Sequence, residues 1–275
     1  MSFKTISKLI LRFNSARMTI KEKGGYQYID EGEGEVLLLL HGLFGEMSNW
    51  EGVVAHFSKN YRVLIPMMPI YTISLRKAHL EGLIDFVEGF VKMEELKDLT
   101  LVGNSLGGHL ALIFALRNKD ISKRMVLTGS SGLFENGMGG SFPKRGSYEY
   151  IKEKVEYTFH DPKVATKELV DDVFEVTNNN AKCLRMITIA RSAQRNNMAK
   201  EIPQINIPTL LVWGLNDTIT PPPVAHEFHR LLRNSQLRFI DKCGHAPMME
   251  HPVIFNAYFD EFLQNNPLEQ TAYMV

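Results

Sequence analysis

At 275 residues, with 44% apolar and 23% charged side chains, the chain has the size and mix of one large α/β domain, or of such a domain carrying an insertion. Thirty-one basic residues balance thirty-one acidic ones, which removes the electrostatic footprint expected of a nucleic-acid binder. Two cysteines, Cys183 and Cys243, form no disulfide framework and fit a reducing compartment, and no C-x-x-C or H-E-x-x-H spacing offers a metal site.

In the first eighteen residues Phe3, Ile6, Leu9, Ile10 and Phe13 recur at helical spacing, while Lys4, Lys8 and Arg12 share another face. The charges interrupt what would be the apolar core of a secretory signal. The segment reads as an amphipathic helix packed on the domain, with interfacial membrane contact as the alternative. No run of about eighteen apolar residues predicts a membrane span, and the expected location is the cytoplasm.

Residues 26–30 (YQYID) alternate like a strand, and 31–35, with Gly32 and Gly34, predict a hairpin turn into the next strand. Residues 36–42 (VLLLLHG) are apolar throughout, as a strand covered on both faces should be. A strand at 61–67, a helix at 80–93, a strand ending at Asn104, a helix from about His109 and a strand at 124–130 follow. Then the alternation stops. Residues 134–203 carry three amphipathic helical patterns and no convincing strand, entered through a glycine-rich hinge at 135–146. It resumes with a strand at 209–214, a helix near 223–233, a strand at 237–241 and a last helix from Pro252. The pattern predicts a mostly parallel sheet covered by helices, with residues 1–133 and 204–275 as its core and 134–203 as a helical cap.

Parallel strands place their carboxyl ends on one edge of the sheet, where ligands collect. Past those ends stand His41-Gly42-Leu43-Phe44-Gly45, then Ser105 in GNSLGG, Asp217 in WGLNDTITPP and His245 in CGHAP. A serine hydroxyl becomes a nucleophile when an imidazole takes its proton, and a carboxylate fixes the tautomer of that imidazole. Gly103 and Gly107 permit the sharp strand-to-helix turn that lifts Ser105 clear of the sheet. The expected oxyanion donors are the N–H groups of Leu106 and Leu43, with Phe44 as the lesser alternative to Leu43. The G-x-S-x-G pattern alone recurs by chance in about one chain in ten of this length; its strand-to-helix setting and the later Asp and His carry the assignment. Asp241 competes with Asp217 as the acid, whereas LTGSSGLF after the 124–130 strand supplies no carboxylate. His41 reads as a local brace, Cys243 as a small packing residue, and His226 and His229 as a solvated helix face.

Taken together, HGLFG, GNSLGG, WGLNDTITPP and CGHAP resemble the α/β-hydrolase fold family over nearly the whole chain. The resemblance implies an eight-stranded, mostly parallel sheet with a cap after the sixth strand, and Ser105, Asp217 and His245 as nucleophile, acid and base. Two departures stand out. The loop at 66–74 (PMMPIYTIS) is apolar where many relatives carry an acidic, glycine-spaced segment. GNSLGG and the cap are similar to carbon–carbon hydrolases of aromatic ring-fission products, yet Ala246-Pro247 follows the histidine where those enzymes tend to have tryptophan.

The expected activity is hydrolysis of small, mostly apolar carboxylic esters through an acyl-enzyme, without metal or organic cofactor. Two alternatives stay open: carbon–carbon cleavage of a vinylogous diketone acid, and small-molecule sensing on a hydrolase scaffold. Phe44, Tyr71, Phe134 and Arg191 are the expected pocket residues, with Tyr148, Phe159, Phe174 and Met186 adding apolar wall and Arg185 as a second arginine candidate. The expected partner is a small-molecule substrate.

Overall fold

The computed structural model describes residues 18–45, 47–136 and 144–268. The amphipathic segment before Met18 and most of the glycine-rich hinge lie outside the described residues. Eight strands form one sheet: β1 (Ile20–Lys23), β2 (Tyr26–Glu31), β3 (Val36–Leu40), β4 (Arg62–Pro66), β5 (Leu99–Asn104), β6 (Ser122–Thr128), β7 (Thr209–Gly214) and β8 (Ser235–Ile240). Their order is β1-β2-β4-β3-β5-β6-β7-β8; β3 to β8 run parallel, and β1-β2 add an antiparallel edge.

The predicted turn at 31–35 is not a hairpin. β2 pairs with β1 and β4, so the chain leaves β2, passes β4 and enters β3. Gly32 and Gly34 have positive φ, and a Cβ on Gly32 would collide with the carbonyls of Ser58 and Tyr61. These glycines let the link thread beneath the entry to β4 rather than reverse it. The true hairpin is one turn earlier, at Gly24-Gly25, both with positive φ, between Lys23 and its partner Tyr26.

Two apolar layers hold the sheet. Leu38, Leu40, Leu101, Leu127 and Trp213 face α2 (Leu80–Met93), α3 (Leu106–Arg117) and α7 (Pro222–Leu231). Leu37, Leu39, Val102, Val126 and Val212 face α1 (Glu51–Phe57) and α9 (Pro252–Asn265), with the short α8 (Pro247–Glu250) beside them. Successive residues of each strand thus enter opposite cores, which is why β3 reads VLLLL without a polar position. Each fully buried aliphatic side chain contributes about 1.5–3 kcal/mol.

Helices α4 (Tyr148–Glu156), α5 (Lys167–Asn178) and α6 (Asn180–Arg195) stand between β6 and β7 in the chain. Among the described residues no helix is long and apolar enough to cross a membrane. The strand order reverses at β3: β4 lies on one side and β5 on the other. Leu40 pairs with Gly103 at this switch point, so the turn after β3 and the turn after β5 emerge side by side.

Candidate active site

Ser105 sits at the apex between β5 and α3 with φ 55° and ψ −121°. A non-glycine residue held there costs about 1–3 kcal/mol, and the surroundings over-determine it. Its N–H donates to Thr128 O at 3.2 Å, while its carbonyl accepts from Gly108, His109 and Ser131. A Cβ on Gly107 would strike the Leu40 carbonyl, and one on Gly103 would meet Gly108 at 2.5 Å. Only glycine at both positions lets α3 start this close to the sheet, with the Leu106 N–H in its first turn.

Asp217 and His245 follow β7 and β8. His245 Nδ1 lies 3.0 Å from Asp217 Oδ2 and 3.2 Å from Oδ1. Both are buried, at 7% and 3% exposure. The carboxylate is held by the N–H groups of Ile219 and Thr220 on Oδ1 and by the Thr220 hydroxyl on Oδ2, at 2.8–2.9 Å. Burial pushes the His245 imidazole down, but the charge and hydrogen bond of Asp217, with a smaller pull from Glu135, outweigh it and leave it above its ordinary value. Asn104 donates from its side chain to Thr128 O at 3.0 Å and to His245 O at 3.1 Å, tying the histidine loop to the elbow.

The turn after β3 is braced by His41. Its Nε2 accepts the Met68 N–H at 3.2 Å, which leaves the proton on Nδ1 to donate to Gly42 O at 2.9 Å. Burial holds this imidazole at about 4, so it stays neutral. Tyr71 donates its hydroxyl to Leu43 O at 3.1 Å, and Arg185 Nε donates to Ile73 O at 2.6 Å from α6. The apolar 66–74 loop therefore ties the Leu43 turn to α6.

A cavity of about 180 Å³ opens in front of the elbow. Ser105, His245, Leu43 and Leu106 line its floor; Val155, Phe159, Met186 and Arg191 line the side formed by 148–195. A nucleophile candidate, an oriented imidazole and the turn after β3 converge on one cavity, an arrangement suited to acyl transfer. Residues 37–258 match the Alpha/beta hydrolase family.

The chain belongs to this family.

This α/β hydrolase is 28% identical over 94% of its length, and the whole of the relative, to a 2-hydroxy-6-oxononadienedioate/2-hydroxy-6-oxononatrienedioate hydrolase of Comamonas testosteroni. It is 26% identical over 85% of its length, and 91% of the relative, to a 2-hydroxy-6-oxo-2,4-heptadienoate hydrolase of Pseudomonas putida. Among solved structures it is similar to an α/β hydrolase enzyme from the sediment metagenome of the lagoon of Mar Chica, Morocco (38% identity, TM-score 0.75, 90% of this chain and 99% of the other). A meta-cleavage product hydrolase from Pseudomonas fluorescens superposes with a TM-score of 0.76 at 25% identity, over 88% of this chain and 95% of the other.

Several expected positions change. Phe134 is 61% exposed and outside the cavity lining, while its neighbour Glu135 lines it. Exposure alternates along 133–136, so an offset of one residue exchanges the inward and outward sides. Tyr71 stands behind the Leu43 turn instead of forming wall. Tyr148 and Phe174 pack on each other beside the cavity, and the Tyr148 hydroxyl donates to Asp171. Asp241 is exposed and accepts its neighbour's N–H, away from His245. Phe44, Phe159, Met186 and Arg191 do line the cavity.

Glu135 is the residue that reading by strand ends missed. The segment after β6 does deliver a carboxyl, seven residues beyond Thr128, where the chain is already irregular. Burial pushes this carboxyl above its ordinary value, and nearby His245 draws it part of the way back.

Proposed function

We propose that this α/β hydrolase cleaves the carbon–carbon bond beside a ketone in a ring-fission product, a vinylogous diketone acid. The observation that carries the reading is Arg191, which lines the cavity in front of Ser105 and has no ion-pair partner among the described residues. Arg191 is exposed overall, and its unpaired guanidinium on the cavity lining is available to a substrate carboxylate. The similarity to hydrolases of 2-hydroxy-6-oxo-dienoates supports the same class.

In this reading Ser105 Oγ attacks the ketone carbon while His245 takes its proton and Asp217 steadies the imidazolium. Ser105 Oγ makes no hydrogen bond to His245 among the described residues; such contacts commonly tighten only when substrate is bound. The N–H groups of Leu43 and Leu106 hold the tetrahedral oxyanion. When the carbonyl re-forms, the carbon–carbon bond breaks. Its electron pair passes to the carbon conjugated with the second carbonyl, which takes a proton from His245. Water, deprotonated by His245, then releases the acyl group from Ser105 as a carboxylic acid. Residues 134–203 serve as the cap that shapes the cavity over the 1–133 and 204–275 core, and the unpaired buried thiols of Cys183 and Cys243 fit a cytoplasmic setting.

A second reading, hydrolysis of esters with a modest apolar group, is favoured by Ala246 on the cavity wall directly after His245. Parallel assays decide between them: disappearance of a 2-hydroxy-6-oxo-dienoate followed by absorbance, beside p-nitrophenyl esters of increasing chain length. The proposal expects kcat/KM for the dienoate at least tenfold above the best ester. Turnover of esters alone would move the assignment to the second reading.

A further inference from the structure

We propose that Glu135 is a second carboxylate serving His245 from the substrate side, an electrostatic residue that steadies the imidazolium formed as Ser105 attacks and sets the pH range of the reaction. The proposal rests on the Ser105–His245 chemistry above and is indifferent to which bond of the substrate is cleaved.

Glu135 lines the cavity with Ser105 and His245, and it is the sole Asp or Glu doing so among the described residues. Its carboxylate has no hydrogen bond or ion pair among those residues. The backbone that carries it is pinned. Asn136 N–H donates to Ile219 O at 2.7 Å, and the Asn136 side chain donates to Thr218 O at 3.1 Å. Glu135 is therefore fixed against the same loop that presents Asp217. A half-buried carboxyl without a hydrogen bond or ion pair among the described residues has a standing cost, and here it lines the same cavity as the imidazole on which positive charge develops.

The division of labour follows from the ring. Asp217 occupies Nδ1, so it fixes the tautomer. Glu135 acts through its field from the cavity side. The other charged or titratable groups around His245 do not duplicate it. Glu250 spends its carboxylate on the N–H groups of Gly244, His160 and Asp161. Burial, with the charges of Glu250 and Asp217, keeps the Cys243 thiol protonated. Lys154 and Arg191 line the cavity from α4 and α6 as cations. Removing Glu135 leaves His245 with Asp217 as its one anionic partner among the described residues and with both cations in place. The same placement has each group pulling on the other's protonation, His245 drawing the Glu135 carboxyl down and Glu135 adding to the upward pull on His245.

The test follows the pH dependence of fluorophosphonate labelling of Ser105 in the wild type, Glu135→Gln and Glu135→Asp. With Gln, the rise in labelling rate should move to lower pH by about half a unit or more, roughly threefold in proton concentration. The plateau rate should fall at the same time, and Asp should retain part of both effects. An NMR titration of His245 in the Ser105→Ala background, with and without Glu135→Gln, reads the same displacement without catalysis. Superimposable titrations, or a labelling loss equal at every pH, would overturn the proposal. Absence of labelling in the folded wild type would remove the Ser105 reading and this proposal with it. Unchanged ester or dienoate preference alongside a displaced profile supports it.

Discussion

Glu250 Oε1 accepts the backbone N–H of Gly244 at 2.6 Å, one residue before His245. Its other oxygen accepts His160 N–H at 2.8 Å and Asp161 N–H at 3.2 Å, and His245 N–H donates to Thr158 O at 2.9 Å. The stretch after α4 is thus sewn to the loop that carries the imidazole. Hydrogen bonds to a charged acceptor contribute about 1.5–3 kcal/mol each, so Glu250→Ala should lower kcat by about tenfold to a hundredfold with a smaller change in KM. Glu250→Gln keeps an acceptor oxygen and should recover part of the loss. Equal kcat in all three proteins would show that the imidazole is placed without this latch.

Asp217→Asn should cost far more activity than Asp241→Asn, because the Asp217 carboxylate alone meets His245 Nδ1 while Asp241 is exposed. An amide at 217 can present its NH₂ to Nδ1 and stabilise the wrong tautomer, so a loss of about a thousandfold or more is expected, against less than about threefold at 241. In the wild type, kcat/KM should rise with pH through a value above the ordinary histidine value, since Asp217 and Glu135 outweigh the burial that pushes His245 down. A flat profile from about pH 5 to 8 would contradict the assignment.

Much of this architecture can be read from the chain because local and global demands agree. The apolar runs of β3, β5 and β7 exist because both faces are buried, and the glycines around Ser105 exist because a Cβ there would strike β3 or α3. What escapes reading is set by partners distant in sequence. β1, with the sequence IKEK and mostly exposed, carries no periodic signal and is a strand because β2 pairs with it. The 31–35 link looks like a hairpin turn, yet its glycines answer to the Ser58 and Tyr61 carbonyls. Glu135 and Phe134 differ only in which way an irregular segment faces, and that is fixed by bonds from Asn136 to Thr218 and Ile219.

Gly107→Ala should destabilise the fold by about 2 kcal/mol or more, since the added methyl meets the backbone of β3, which is paired on both sides and cannot retreat. Urea denaturation reads this directly. A midpoint equal to that of the wild type would mean that α3 can move off the sheet.

Two buried imidazoles make stability depend on acid. Burial draws His41 and His109 down to about 4, partly opposed by their bonds to Gly42 O and Asn196 Oδ1. Between this value and the unfolded value of about 6.5 the unfolded chain binds more protons, so stability rises with pH across that window and is flat above it. Each group contributes on the order of 3 kcal/mol to the fall on acidification. His245 has the opposite sign: its raised value adds stability below about 6.5 that is lost as pH climbs through the folded value. Urea midpoints from pH 4 to 8 should therefore fall less steeply on the acid side for His109→Gln than for the wild type. Parallel curves would show that His109 titrates alike in both states.

Arg191 and Arg185 lie on the same helix, and their surroundings predict opposite consequences of losing them. Arg185 is already spent: Nε bonds Ile73 O at 2.6 Å and a terminal nitrogen bonds Ala181 O at 2.8 Å. Arg191 is exposed, lines the cavity and makes no ion pair among the described residues. If a substrate carboxylate seats there, Arg191→Leu removes a charge-assisted pair of about 1.5–3 kcal/mol and should raise KM for a dienoate acid by about tenfold to a hundredfold. Neutral esters, which make no such pair, should keep their KM. Arg191→Lys keeps the charge but not the planar fork, and should fall between. Arg185→Leu should lower kcat for both substrate types alike, because it loosens the 66–74 loop behind Leu43 and not the substrate's charged end. An Arg191→Leu variant that handles acid and ester with unchanged preference would remove the carboxylate from the proposed substrate.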